Sequence, residues 1–217
     1  MSSQNEILKN KISIILNYFK IRNFNKVIEE SEKLLRKNPN SDYLWNILGL
    51  SYQNIKNYVE AEKNFARALQ INPLNLSATN NLGNNYKYIN NFNKAEEYFL
   101  KTLKIKPDYI GALVNYANLK FAVNDFENCI DLFNKTLSIN NKIVLVHVNL
   151  SIAYQAIGNF EKAIDHLQTI NTLDPNYTKA DKMLSALLDY NKEHDHFELM
   201  QDKIKSSNLD DNQKIYL

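Results

Sequence analysis

In the stretch WNILGLSY, residues 45 to 52, the polar positions fall between Trp45, Leu48, Gly49 and Tyr52, which are separated by steps of three, one and three. That spacing places all four on one side of a helix, as a buried face. The stretch NNLGNNY, residues 80 to 86, carries Leu82, Gly83 and Tyr86 at the same spacing, 34 positions later. Blocks of 34 starting at Leu8, Asp42, Leu76, Ile110 and Val144 then share an aromatic residue at the seventeenth position: Phe24, Tyr58, Phe92, Phe126 and Phe160. Just before it stand the pairs RN, KN, NN, ND and GN. Such polar pairs, rich in Asn and Gly, suit the left-handed backbone that ends one helix before another begins. Each block is predicted to be a helix, a tight turn and a second helix, with the aromatic packed at the elbow.

The second block continues with Ala61, Phe65, Ala68 and Pro73, and the third with Ala95, Phe99 and Pro107. Small residues let two helices approach, the phenylalanine fills the gap beside them, and proline cannot continue a helix. With Trp45, Leu48, Gly49, Tyr52, Ala61, Phe65, Ala68 and Pro73 in place, the chain resembles the tetratricopeptide repeat family at the family's own period. The fourth block, with Tyr116, Ala117, Cys129 and Phe133, has Asn141 where proline is expected; the fifth has Leu150, Ser151, Tyr154, Ala163 and Pro175. In the first block Tyr18 and Pro39 are kept but Ile15 takes the glycine slot, a departure expected of a terminal unit.

The resemblance implies an all-α fold, an α-solenoid of five helix-turn-helix repeats (8–41, 42–75, 76–109, 110–143, 144–177) wound as a right-handed superhelix. A capping helix is expected over 178–190, with Leu184 and Leu188 inside and Lys179 and Lys182 outside. Residues 1–191 would form this solenoid. Residues 192–217 are expected to be a helical extension with His194 in place of the elbow aromatic. Its last residues, Ile215, Tyr216 and Leu217, carry no stop signal, so the extension reads as truncated from a longer chain.

Composition narrows the function. The 26 Lys plus Arg nearly balance the 24 Asp plus Glu, which gives no support to a phosphate-tracking surface, so nucleic acid is not an expected partner. Cys129 is the only cysteine, which excludes an internal disulfide and any multi-cysteine zinc site; it occupies a small-residue packing slot and reads as structural. The N-terminal stretch interrupts its apolar residues with Lys9, Lys11 and Asn17 and has no small-residue cleavage site, so it does not read as a secretory signal. Nor is any stretch apolar enough to predict a membrane span. The chain is expected to be cytoplasmic.

Tetratricopeptide repeats line an inner groove with side chains of their first helices, and the resemblance places Asn81, Asn115 and Asn149 there at one repeated position, with Asn80, Asn84 and Asn118 nearby. An amide offers a donor and an acceptor together, so such a ladder could grip the backbone of an extended peptide without reading its sequence. Tyr88 and Phe121, with Tyr43, Phe19, Val114, Val148 and Ile152, would surround it. The competing explanation is composition, since roughly one residue in six is asparagine. The family's clamp for chaperone C-termini uses cations at fixed inner positions; here Asn80, Leu145 and Asn149 stand in their places, which argues against that mode.

No constellation for catalysis is evident. Gly49, Gly83, Gly111 and Gly158 are too dispersed for a phosphate loop, and His147 and His166 look isolated on their helices. The stretch EHDHFE, residues 193 to 198, groups Glu193, His194, Asp195, His196 and Glu198 without a helical metal-ligand spacing. No metal or cofactor is expected, and the chain by itself should not be an enzyme. Its tail, with His196, Met200, Leu209, Asp210, Asp211 and Leu217, resembles the junction in bacterial proteins that join such repeats to a sulfotransferase domain. Two expectations follow: a scaffold that binds a peptide or partner segment in its groove, or the substrate-positioning front part of a transferase.

Overall fold

The computed structural model describes residues 2–190, 194–205 and 209–217, and among them there are thirteen α-helices and no strand. They are α1 (Ser2–Lys20), α2 (Phe24–Leu35), α3 (Asp42–Asn54), α4 (Tyr58–Ile71), α5 (Leu76–Tyr88), α6 (Phe92–Ile105), α7 (Ile110–Ala122), α8 (Phe126–Ile139), α9 (Val144–Ala156), α10 (Phe160–Leu173), α11 (Lys179–Ser185), α12 (His194–Lys205) and α13 (Asp211–Lys214). The helices α3, α5, α7 and α9 begin at Asp42, Leu76, Ile110 and Val144, whereas α1 begins at Ser2, before Leu8, and every elbow aromatic is the first residue of a second helix.

The elbows explain the polar pairs. Arg22, Lys56, Asn90, Asn124 and Gly158 all have positive φ, between 59° and 77°, the left-handed turn that ends a helix. The next residue then caps the second helix: the side chains of Asn23, Asn57, Asn91 and Asn159 accept from the backbone N–H three residues on. Asp125 departs from this; its carboxylate accepts from Asn128 Nδ2 at 2.9 Å and pairs with Lys120 at 3.3 Å. The aromatics are less enclosed than expected. Phe24 and Phe126 meet Phe19 and Phe121 edge to face at 5.4 and 5.3 Å, but Phe160 is 54 % exposed.

Two compact units divide the chain at residues 115 and 116, inside α7. In the first, each of α1 to α5 packs on the next, and α3 also packs on α5. Its repeats are closed by a size match between two positions, one on each helix. A Cβ added to Gly49 would lie 2.6 Å from the Phe65 ring, and one added to Gly83 2.7 Å from the Phe99 ring. Either phenylalanine is fully buried. In the first repeat the sizes are exchanged: Ile15 stands in the glycine slot and Ser31 in the phenylalanine slot, both buried. The departure at Ile15 is therefore a compensated packing choice, which accounts for it without appeal to a terminal position.

In the second unit α8, α9, α10 and α11 pack in sequence, the last three around Val148, Leu167, Ile170, Ala180 and Leu184. The capping helix is shorter than expected, ending at Ser185 rather than at 190. A buried polar cluster replaces its missing turns. Asp181, fully buried on α11, accepts from Lys203 Nζ at 2.8 Å and from Asn171 Nδ2 at 3.0 Å, and lies 3.3 Å from His196 Nε2. Gln213 on α13 donates to the Asn176 carbonyl and its own carbonyl accepts from Thr178. Residues 194–205 and 209–217 are thus tied onto the cap, and the last helix is one four-residue turn with its own capping box.

Candidate functional site

The asparagine positions come together, but with a function the sequence reading missed. In the first unit Asn81 Nδ2 donates to Asn46 Oδ1 at 3.0 Å, and Asn115 Nδ2 donates to Asn80 Oδ1 at 3.0 Å. Each bond joins neighbouring first helices, and Asn46 and Asn80 hold the same repeat position. In the second unit Asn149 Nδ2 reaches Asn118 Oδ1 at 3.2 Å, one turn further along α7 than that position, which Val114 occupies. Asn46 and Asn80 are only 6 % exposed. Asn80, expected to touch a peptide, is instead a buried acceptor that helps fasten one repeat to the next.

Asn81, Asn115 and Asn149 are half-buried, and the bond each makes uses one of its two amide hydrogens. Asn84 is also half-buried, and its Oδ1 is enclosed without a hydrogen-bond partner. On its first helices the first unit also exposes Tyr43 (45 %) and Tyr88 (54 %). Tyr88 stacks on Tyr58 at 5.8 Å. Beneath that stack Gln53 Nε2 donates to the Asn81 carbonyl, and Asn85 Nδ2 to the Tyr58 carbonyl. In the second unit Phe121 and Ile152 line a cavity of about 70 Å³ together with Asn118, Phe133 and Asn149. Phe19 and Val114 are half-buried, whereas Val148 belongs to the core and is no surface contact.

His147 and His166, isolated in sequence, are in contact. Their Nδ1 atoms lie 3.0 Å apart, and His147 Nε2 is 3.0 Å from the Asn141 carbonyl. If His147 donates from Nε2, its Nδ1 accepts and His166 donates, so one proton distribution satisfies the pair when both rings are neutral. Tyr154 stacks on His166 at 5.6 Å. Burial, followed by the neighbouring His147, pushes the His166 pKa down to about 4. The sequence signal was available: His147 occupies the slot of Trp45, whose Nε1 donates to the Pro39 carbonyl six residues back, as His147 does to Asn141.

The histidine-rich stretch resolves differently. His196 is buried between Asp181 and Tyr190, whose Oη is 2.9 Å from His196 Nδ1. Burial opposes ionisation of Asp181, but the bonds from His196 and Lys203 outweigh it and hold the carboxyl below its usual range. Glu193 and the His194 side chain lie outside the described residues. Cys129 is fully buried in its packing slot, and burial pushes its thiol up to about 12. Among the described residues no group of three or more His, Cys, Asp or Glu is placed to hold a metal, and no helix is long and apolar enough to cross a membrane.

Comparisons with known proteins place the fold. Tetratricopeptide repeat models match residues 41–108 and 145–177. No curated protein matches the chain significantly. Among solved structures, the chain is similar to PilF of Pseudomonas aeruginosa, at 13% identity and a TM-score of 0.74, covering 98% of this chain and 97% of that one. TTC0263, a tetratricopeptide repeat protein of Thermus thermophilus, aligns at 11% identity and a TM-score of 0.71 over 83% of this chain and 98% of its own. MamA from Desulfovibrio magneticus RS-1 aligns at 15% identity and 0.64 over 77% and 95%. The fold is that of a tetratricopeptide-repeat solenoid. The likeness of the tail to a sulfotransferase junction receives no support from these matches.

Proposed function

We propose that the chain is a non-catalytic interaction scaffold whose first-helix faces bind an extended segment of a partner protein. One observation carries the reading: exposed Tyr43 and Tyr88 in the first unit lie one helical turn from Asn46 and Asn84 on their own helices, Ile152, 39 % exposed, lines a cavity with Asn118 and Asn149 in the second, and Asn81, Asn115 and Asn149 each keep a second amide hydrogen after their mutual bonds are made. Apolar side chains on the same faces as amides with remaining donors suit a peptide, which brings both side chains and backbone groups. The repeat matches support it, since tetratricopeptide repeats commonly serve as protein-binding arrays. Asn81, Asn115, Asn149, Asn84 and Asn118 contribute polar contacts in this reading, and Tyr88 and Phe121 apolar ones.

The mutual bonds alter how the reading is tested. Replacing the asparagines would loosen the stacking as well as the contact, so the decisive changes are at exposed apolar and aromatic side chains. Linear peptides selected by phage display on the immobilised chain should lose at least about tenfold in affinity with Tyr43→Ala/Tyr88→Ala or with Ile152→Asp, which corresponds to removing ordinary contact residues. The circular dichroism spectrum and Tm should hold. Peptides that bind both variants as well as the parent chain would refute the reading.

A further inference from the structure

A second concave surface lies in the first unit between α2 and α4, over a face of α3 other than the one that carries Asn46. It is a groove of about 370 Å³, with Leu35, Leu48, Trp45 and Tyr52 supplying an aliphatic and aromatic lining. Glu32 and Glu60 come in from the two flanking helices. Trp45 is the only tryptophan, and its ring is fixed by the bond from Nε1 to the Pro39 carbonyl at 2.8 Å. Tyr52 donates its hydroxyl to Glu32 at 3.0 Å.

The third and fifth repeats show what this place holds when it is filled. In the third repeat Lys94 lies over the Tyr86 ring at 4.8 Å and Tyr98 stacks on Tyr86 at 5.5 Å. In the fifth, Lys162 lies over Tyr154 at 5.2 Å and His166 stacks on Tyr154. Tyr86 and Tyr154 are the repeat equivalents of Tyr52. In the second repeat the lysine position is Glu60 and the stacking position is Asn64, whose amide is folded back on its own helix to donate to the Glu60 carbonyl at 2.7 Å. The aromatic face is kept, the cation that covers it in the third and fifth repeats is replaced by an anion, and the ring that closes the space there is absent.

We infer that this groove receives a lysine side chain presented by a partner protein, with the ammonium over Tyr52 and Trp45 and between Glu32 and Glu60. An ammonium is attracted by the faces of Trp and Tyr, and two carboxylates offset its desolvation. Its methylene stem lies along Leu35 and Leu48. Arg36 is the one cation among the lining residues and opposes the incoming charge, while Lys63 holds one oxygen of Glu60 at 2.6 Å from the solvent side. The site is separate from the first-helix face and does not depend on the proposal made for it.

Trp45 reports occupancy directly. Acetyl-capped tetralysine, titrated at low ionic strength, is expected to change Trp45 fluorescence saturably, while the same peptide with every lysine acetylated on Nε does not, because it keeps the stem and loses the charge. Glu32→Gln/Glu60→Gln should weaken binding at least about tenfold, losing two charge-assisted contacts. Asn64→Tyr, the residue that closes the third repeat, should abolish the response, and Arg36→Ala should strengthen it. Tyr88→Ala on the first-helix face should leave the titration unchanged. An absent response to tetralysine, equal responses to both peptides, or curves indifferent to the glutamate and Asn64 changes would overturn the assignment, as would a loss caused by Tyr88→Ala.

Discussion

The second and fifth repeats place different chemistry on the same frame. Where the second has Trp45, Gly49, Tyr52, Glu60, Asn64 and Phe65, the fifth has His147, Ser151, Tyr154, Lys162, His166 and Leu167. In the second, a large ring against a glycine closes the helix pair, and the surface above is an open acidic groove. In the fifth, Ser151 and the smaller Leu167 take these two positions, both buried, and at the surface Tyr154 carries His166 stacked on its ring and Lys162 over it. The frame tolerates the exchange because each change of size or charge is answered across the helix pair. A repeat array can therefore vary the surface of one unit while the backbone of all units is kept.

The strongest way to break the comparison is to disturb the closing pair. Gly49→Ile puts a branched side chain where even a Cβ would lie 2.6 Å from a buried ring, and should destabilise the first unit by at least about 3 kcal/mol. Phe65→Ser alone should cost about 4 kcal/mol through the cavity it leaves. Gly49→Ile/Phe65→Ser reproduces the solution of the first repeat, Ile15 with Ser31, and should recover much of the loss. Urea unfolding of the four proteins gives the coupling; additive losses would show that the exchange of sizes is not what makes the first repeat tolerable.

Acid should then separate the two repeats. His166 has its folded pKa held at about 4, below the ordinary 6.5, so between these values the unfolded chain binds a proton that the folded chain refuses. Stability is full above about pH 6.5 and falls as pH is lowered toward 4, by on the order of 2 kcal/mol once partial exposure is allowed for. His166→Phe keeps a ring against Tyr154 and should flatten this part of the pH profile of Tm. An unchanged slope would place the acid sensitivity elsewhere.

A smaller effect attends the asparagine bonds. Asn81→Ala removes a donor and leaves the buried Asn46 oxygen unpaired, for a loss of about 1 kcal/mol read by thermal melting. No change in Tm would return the asparagines to the status of a purely compositional feature.

These contrasts also show what the sequence could reveal. The period, the elbow aromatics and the polar pairs sit at fixed offsets within 34 residues, so local rules sufficed to read the helix pairs and even the left-handed turn residues. What escaped were relations between repeat positions. Ile15 explains itself only when Ser31 is considered with it, and His147 meets His166 only because the fold brings the two positions together. The asparagine ladder was visible as a column, but the offset by one position that makes Asn81 bond Asn46 depends on how far successive first helices slide past each other. The cap was overextended because Leu184 and Leu188 keep helical spacing beyond Ser185, where Asp181, His196 and Lys203 take over the closure from residues distant in sequence.

Whether the first-helix face is the contact surface can be tested by photo-crosslinking. With p-benzoylphenylalanine placed singly at Tyr88, at Ile152 and at Val59, which is 66 % exposed on α4, irradiation in native lysate should yield the same partner adduct from Tyr88 or Ile152 and none of it from Val59. Adducts of equal yield from Val59, or from Val59 alone, would contradict the account.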